Sequence, residues 1–188
     1  MFDPYLGLGM VEGYAFSPLA PPRHITLPVT PLIQHLMQES FDQAEMALEE
    51  GGTPVGAALI EMETGQEWYD RSDDKITGNL QGHAEIKCYQ QAQSVVGSRL
   101  GKCALVSTTE LCPMCVSTYA QGDISTIIIA APRKALVRED GTPILRPRKV
   151  NMGTLLEDSA AQSNVYVGYR SADSLALWRT WDDQRRGK

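Results

Sequence analysis

The sequence predicts one α/β domain with helices on both faces of one sheet. The alternation of its segments predicts the fold class, and its length predicts a single domain. Segments whose apolar residues recur at the helical period alternate with short apolar segments typical of buried strands. The chain has 188 residues, 43% of them hydrophobic, which is enough for one compact domain and short for two. We therefore expect a single domain over residues 31–188.

The segment before this domain is rich in proline. Six prolines fall within the first 31 residues, a density that suits a segment lying over the protein surface rather than a core element. We therefore expect residues 1–30 to form a Pro-rich N-terminal extension.

The first predicted elements of the domain are a helix and a hairpin. From Pro31, a residue tolerated at a helix start, apolar side chains recur at the helical period until Gly51-Gly52 ends the helix. Residues 54–60 and 66–69 then flank Glu63-Thr64-Gly65, which predicts two strands joined by a turn that needs the glycine.

The remaining elements alternate between helices and strands. Residues 133–149 have no clear period, and we predict either a long functional loop or a solvated edge there. Elsewhere the apolar spacing predicts helices over residues 83–96, 113–121, 153–161 and 171–184, and strands over residues 104–108, 124–130 and 164–169.

Composition and charge exclude several classes of protein. The longest unbroken apolar run, Ile127 to Ala131, is far below the roughly 20 residues of a membrane-spanning helix. The N-terminus lacks the pattern of a secretory signal peptide. A net charge of −6 argues against a protein that binds the phosphate backbone of a nucleic acid. We therefore expect a cytoplasmic protein whose partner is a small molecule, with no nucleic acid or membrane partner.

The cysteines indicate free or metal-bound thiols. Four cysteines are too few for a disulfide scaffold in a chain of this length. Cys88 and Cys103 match no motif, and we expect them to be thiols without a function.

Two short motifs at predicted helix starts carry chemistry. His83-Ala84-Glu85 begins one helix and Cys112-Pro113-Met114-Cys115 begins the next. One histidine and two cysteines make a three-ligand zinc site with the fourth position open for water, the pattern of a catalytic zinc. The cysteine pair alone is also typical of a redox dithiol, so a thiol oxidoreductase without bound metal stays an alternative.

Together these motifs resemble the zinc-dependent cytidine/deoxycytidylate deaminase superfamily over roughly residues 31–131, and the tail resembles its cytosine and guanine deaminase branch more loosely. The resemblance implies a three-layer α/β/α sandwich around a five-stranded mixed sheet, and a homodimer. It also implies that His83, Cys112 and Cys115 bind Zn²⁺ and that Glu85 moves protons.

The sequence departs from the family at two positions. Leu111 stands directly before the first zinc cysteine, where the family usually has proline. Ser72 stands eleven residues before the zinc histidine, where the resembled branch often has an asparagine that hydrogen-bonds the base. Our candidate substrate contacts are Ser72, Ala84, Trp181 and Asp182.

These observations predict hydrolytic deamination of a free nucleobase or a related amino-substituted N-heterocycle, with release of ammonia. A tRNA adenosine deaminase stays an alternative, because basic residues cluster after the last long apolar strand, at Arg133, Lys134, Arg146, Arg148 and Lys149. A zinc-bearing binding module is a further alternative, against which the presence of Glu85 argues.

Overall fold

The computed structural model describes residues 9–17, 20–159 and 162–187. Within them, two short 3₁₀ turns (Gly97–Lys102 and Arg133–Ala135) accompany the regular elements. These are β1 (Met10–Ser17), β2 (Ala20–Pro28), α1 (Pro31–Glu49), β3 (Gly56–Glu61), β4 (Glu67–Arg71), α2 (Asp74–Thr77), α3 (Ala84–Val96), β5 (Cys103–Thr109), α4 (Pro113–Gln121), β6 (Thr126–Ala131), α5 (Met152–Asp158), β7 (Asn164–Val167) and α6 (Ser171–Arg186).

The strands form one mixed sheet in the order β2-β1-β7-β6-β5-β3-β4. Strands β5, β6 and β7 run parallel to one another, and the other neighbours are antiparallel. The α/β class and the mixed sheet are confirmed. The expected count of five strands is wrong, because the sheet has seven.

The two additional strands come from the Pro-rich segment. Strand β1 pairs antiparallel with β7, and β2 pairs with β1 as the outermost strand. An outermost strand tolerates proline because one row of its backbone groups has no strand to bond. At Gly13 a Cβ would lie 2.1 Å from the Val165 carbonyl oxygen, so glycine permits β1 to approach β7. Residues 10–17 and 20–28 are therefore strands of the sheet and not an arm lying over it.

Helices cover both faces of the sheet, as predicted. Alternate residues of the central strands point to two separate apolar clusters, as Leu105 and Val106 of β5 do. Helix α1 packs its apolar stripe on one face. Helices α3 and α4 pack on the other face, where both predicted zinc motifs begin.

Local sequence signals account for the ends of α1. The Thr30 hydroxyl accepts a hydrogen bond from the Ile33 N–H at 3.2 Å, and Pro31 occupies the first turn. After the helix, Gly51 has a φ of +81°, a conformation that glycine adopts without strain.

None of the helices in the described part of the chain combines the length and the apolar character that a membrane crossing requires.

Candidate active site

Two helix starts meet beside the end of β5. His83 is the N-cap residue of α3, and Cys112 is the N-cap residue of α4. Pro113 occupies the first turn of α4, and Cys115 follows on the same turn. The strand-to-helix connections therefore bring the histidine and both cysteines to one point, although 29 residues separate His83 from Cys112.

The three side chains form a compact donor set, which we call the ligand cluster (His83, Cys112 and Cys115). The two sulfur atoms are 3.4 Å apart, and the His83 Nδ1 lies 3.5 Å from Cys112 Sγ and 3.6 Å from Cys115 Sγ. Tetrahedral zinc with bonds of about 2.3 Å to sulfur and about 2.0 Å to nitrogen separates its ligand atoms by roughly 3.5 to 3.8 Å. The cluster therefore fits a zinc ion.

Glu85 lies against the cluster from the first turn of α3. Its side chain is 3% exposed, and its Oε2 lies 3.6 Å from Cys115 Sγ. Its Oε1 accepts a hydrogen bond from the Ser107 hydroxyl at 3.2 Å. The buried Tyr119 hydroxyl donates to the Glu85 backbone carbonyl at 2.7 Å, which fixes this part of the helix. The carboxyl is thus held against the donor set rather than pointing to solvent.

Hydrogen bonds and burial set the protonation of these groups. The hydrogen bond between the two cysteines lowers the pKa of Cys112 to about 4, which favours the thiolate form of Cys112. The same contact raises the pKa of Cys115. The hydrogen bond to Cys112 raises the pKa of His83, and burial raises the pKa of Glu85.

Two of the predicted substrate contacts lie at the start of α3. Ser72 is buried, and its hydroxyl accepts a hydrogen bond from the Ala84 N–H at 3.1 Å. Ser72 therefore satisfies one of the free N–H groups of the first helical turn. Ala84 is itself buried between His83 and Glu85.

The other two predicted contacts lie on α6. The Asp182 carboxylate forms a bidentate ion pair with Arg138, with distances of 2.6 Å from Nε to Oδ2 and 2.9 Å from Nη2 to Oδ1. Trp181 packs edge-on against Trp178, with ring centroids 5.2 Å apart. No hydrogen bond or ion pair within the described ranges joins Asp182 to the ligand cluster.

Two further residues that hydrogen-bond Glu85, Ser107 and Tyr119, are not among the candidates predicted from the sequence. A polar residue in a strand that is buried along its whole length is the signal that could have indicated Ser107. Tyr119 gives no such signal, because an apolar face of α4 accommodates tyrosine as readily as phenylalanine.

A groove of about 800 Å³ lies near the site, and the residue two positions before Cys112 lines it. Glu110 lines the groove, and its carboxylate accepts a hydrogen bond from the Arg133 backbone N–H at 2.8 Å. Tyr14 and Phe16 of β1 also line the groove, and Lys134 and Arg148 add positive charge to it.

The residue 133–149 segment, which we call the basic loop, is mostly without regular structure. Arg133 donates two hydrogen bonds to the Arg146 carbonyl, at 2.7 and 3.1 Å, which closes the loop on itself. Burial, and after it the neighbouring Arg148, lower the pKa of Arg133. Among the residues that the structure describes, no ion pair involves the side chain of Arg133, Lys134, Arg146, Arg148 or Lys149.

The chain is similar in sequence to proteins of known families. The family model of the cytidine and deoxycytidylate deaminase zinc-binding region matches residues 31–131. The chain is 31% identical over 106 residues to the tRNA(Ile)-lysidine synthase of Deinococcus radiodurans, a match that covers 56% of this chain. The chain spans 18% of the length of that relative.

Two solved structures share the fold. One is from a study of A-to-I editing by tRNA:A34 deaminases, with a TM-score of 0.62, 21% identity, and coverage of 77% of this chain and 99% of that chain. The other is the guanine deaminase from Nitrosomonas europaea, with a TM-score of 0.61, 21% identity, and coverage of 78% and 82%. At these identities the likeness shows the fold alone.

The family match and the donor geometry agree on the same residues. The matched range contains both helix starts, and the distances between the three donor atoms are close to those of a tetrahedral zinc site. This chain therefore belongs to the cytidine and deoxycytidylate deaminase zinc-binding family, and zinc is its cofactor.

Proposed function

We propose that this protein hydrolyses the exocyclic amino group of a free nucleobase, or of a related amino-substituted N-heterocycle, and releases ammonia. One observation carries the proposal: the buried Glu85 carboxyl lies against the ligand cluster, with its Oε2 3.6 Å from Cys115 Sγ. Hydrolytic deamination needs a nucleophilic water and a group that moves protons, and these neighbours can supply both.

The residues of the site divide into those that hold the metal and one that transfers protons. His83, Cys112 and Cys115 would hold zinc, which when bound supplies the Lewis acidity that makes a water molecule nucleophilic at neutral pH. The Glu85 carboxylate takes a proton from the attacking water and delivers it to a ring nitrogen, so the amino-bearing carbon becomes electrophilic. Glu85 then carries the second proton to the amino group, which leaves as ammonia, and the ring keeps the oxygen.

The surroundings of Glu85 suit a group that is both base and acid. Burial raises the pKa of this carboxyl, and a pKa that moves toward neutral pH helps one group to act both as a base and as an acid. Ser107 and Tyr119 hold the side chain and the backbone of Glu85, so its direction is fixed.

Two arguments support a small-molecule substrate. The net charge of −6 disfavours a phosphate backbone as ligand, and the Nitrosomonas europaea enzyme of the same fold is a guanine deaminase.

Within this proposal Ala84, between His83 and Glu85, is a backbone contact for the substrate. We also propose a homodimer, which light scattering on the purified protein would test.

A tRNA substrate is the second candidate, and the basic loop favours it. Arg133, Lys134 and Arg148 border the groove beside Cys112 without a carboxylate partner in an ion pair among the described residues, so they can contact phosphates. Both the Deinococcus radiodurans relative and the tRNA:A34 deaminases of the same fold have tRNA in their names.

Ammonia release by the zinc-loaded protein tests both candidates. The panel comprises cytosine, guanine, adenine, their nucleosides, amino-triazines and a tRNA anticodon stem-loop, and Glu85→Gln is the control. Release from one free base, lost in Glu85→Gln with zinc retained, supports the first candidate. Release from the stem-loop alone supports the second. A protein that binds no zinc and reduces disulfides contradicts both and supports a thiol oxidoreductase.

A further inference from the structure

Ser107 lies at the point where the proton-transferring carboxyl meets the sheet. It belongs to β5, and its side chain is fully buried. Its hydroxyl is 3.2 Å from Glu85 Oε1, while the other carboxyl oxygen of Glu85 faces Cys115. Ser107 contacts none of the three proposed zinc ligands by a hydrogen bond in the described structure, so its contact with the site runs through Glu85.

The Ser107 hydroxyl has one hydrogen and two acceptors within reach. Besides Glu85 Oε1, the backbone carbonyl of Thr109 lies 2.9 Å away, and the Thr109 N–H points back to the hydroxyl at 3.4 Å. Rotation of the hydrogen alone therefore changes Ser107 from donor to acceptor toward Glu85.

Helix α6 holds the strand end that carries this hydroxyl. The Trp178 indole N–H donates to Thr109 Oγ1 at 2.8 Å, and the Ser174 hydroxyl lies 3.5 Å from the same atom. Both partners on α6 are buried, so water cannot replace these contacts. Trp178 thus holds the side chain of Thr109, and the backbone of Thr109 in turn holds the Ser107 hydroxyl that bonds Glu85.

We propose that Ser107 is a positioning residue that holds the Glu85 carboxyl beside the ligand cluster, and that Trp178 acts on the same carboxyl through Thr109 and Ser107. This inference rests on the proposed role of Glu85 in deamination. It adds two residues, one outside the family-matched range, to the set that determines turnover.

The first test is structural and needs no substrate. Crystal structures of the zinc-loaded protein are compared with those of Ser107→Ala, with Ser107→Thr, which keeps the hydroxyl, and with Ser40→Ala. Ser40 is a matched control, because it is equally buried and its hydroxyl donates to the Leu36 carbonyl within α1. We expect the Glu85 carboxyl to leave its position in Ser107→Ala alone, with one zinc per chain in every variant.

The second test is kinetic and uses the substrate found for the parent protein. We expect Ser107→Ala to lower kcat by about 10- to 100-fold at unchanged KM, at or below the low end of the range for the proton-transfer group itself, because Ser107 acts only through Glu85. Ser107→Thr restores most of kcat, and Ser40→Ala keeps the parent value. Both alanine variants lose a buried hydrogen bond, so we expect similar decreases in their melting temperatures, and a loss of kcat in Ser107→Ala alone then cannot come from a general loss of stability.

The contribution of Trp178 is measured with a double-mutant cycle. Trp178→Phe removes the indole N–H, and we expect it to lower kcat in the parent protein but not further in Ser107→Ala. Equal decreases in both backgrounds overturn the action through Ser107. A Glu85 carboxyl that keeps its place in Ser107→Ala, or an unchanged kcat, overturns the role of Ser107. If the parent releases no ammonia from any substrate, the proposed function fails, and the displacement of the carboxyl alone decides the inference.

Discussion

Replacing Ser72 by alanine tests whether this residue holds the start of α3 or contacts the substrate. In the structure its hydroxyl accepts the Ala84 N–H at 3.1 Å, and both residues are shielded from water, being 3% and 0% exposed. The substitution leaves a buried N–H without a partner. The loss of a helix-cap contact or of a buried hydrogen bond costs about 1 to 2 kcal/mol.

This magnitude is measurable in two ways. For a domain of this size, about 1 to 2 kcal/mol corresponds to a decrease of roughly 2 to 8 °C in melting temperature. His83 directly precedes Ala84, so we also expect Ser72→Ala to weaken zinc binding by about tenfold, the low end for a residue outside the ligand set. Thermal denaturation followed by circular dichroism measures the first effect, and competition with a zinc chelator measures the second.

A matched control separates the two effects. The buried Ser163 hydroxyl donates to the Ile124 carbonyl at 2.8 Å, far along the chain from the zinc motifs. Ser163→Ala should lower the melting temperature and leave the zinc affinity unchanged. If Ser72→Ala keeps the parent melting temperature and zinc affinity but raises KM, Ser72 is a substrate contact and the argument from the Ala84 hydrogen bond is refuted.

Three further predictions follow from the site and the sheet. Cys112→Ser should lose bound zinc and all ammonia release, which metal analysis and the activity assay measure; a variant that keeps one zinc per chain would contradict the ligand assignment. Gly13→Val should separate β1 from β7, because its side chain meets the Val165 carbonyl, and hydrogen exchange should rise in β1 and β7 but not in β3. Arg148→Glu should weaken binding of the tRNA stem-loop and leave a free base unaffected; equal effects on both would remove the basic loop from nucleic-acid contact.

The elements with local signals could be predicted from the sequence. Helices α1 and α4 begin at prolines and have apolar stripes, and their observed bounds agree with the predicted ones within a residue or two. The strands β1 and β2 have no such signal, because dense proline is compatible with an outermost strand as well as with an arm on the surface. Only the partner, β7, distinguishes these possibilities, and it lies more than a hundred residues later.

The site follows the same division between local and long-range information. His83, Glu85, Cys112 and Cys115 could be predicted together because their spacing is a known motif, and the structure brings them into contact. The placement of Asp182 could not, since its partner Arg138 is 44 residues away and no pattern connects them. The hydrogen bonds of Ser107 and Trp178 could not be predicted either, because they exist only once α3 and α6 have packed on β5.

The N-terminal hairpin also affects how the molecule meets its own copies. Without β1, the parallel strand β7 would present a row of free N–H and C=O groups, which can template the addition of another chain. The hairpin moves this edge outward to β2, where Pro21, Pro22 and Pro28 remove three N–H donors from nine positions. The prolines thus leave the new outermost strand fewer N–H groups to offer to a strand of another chain.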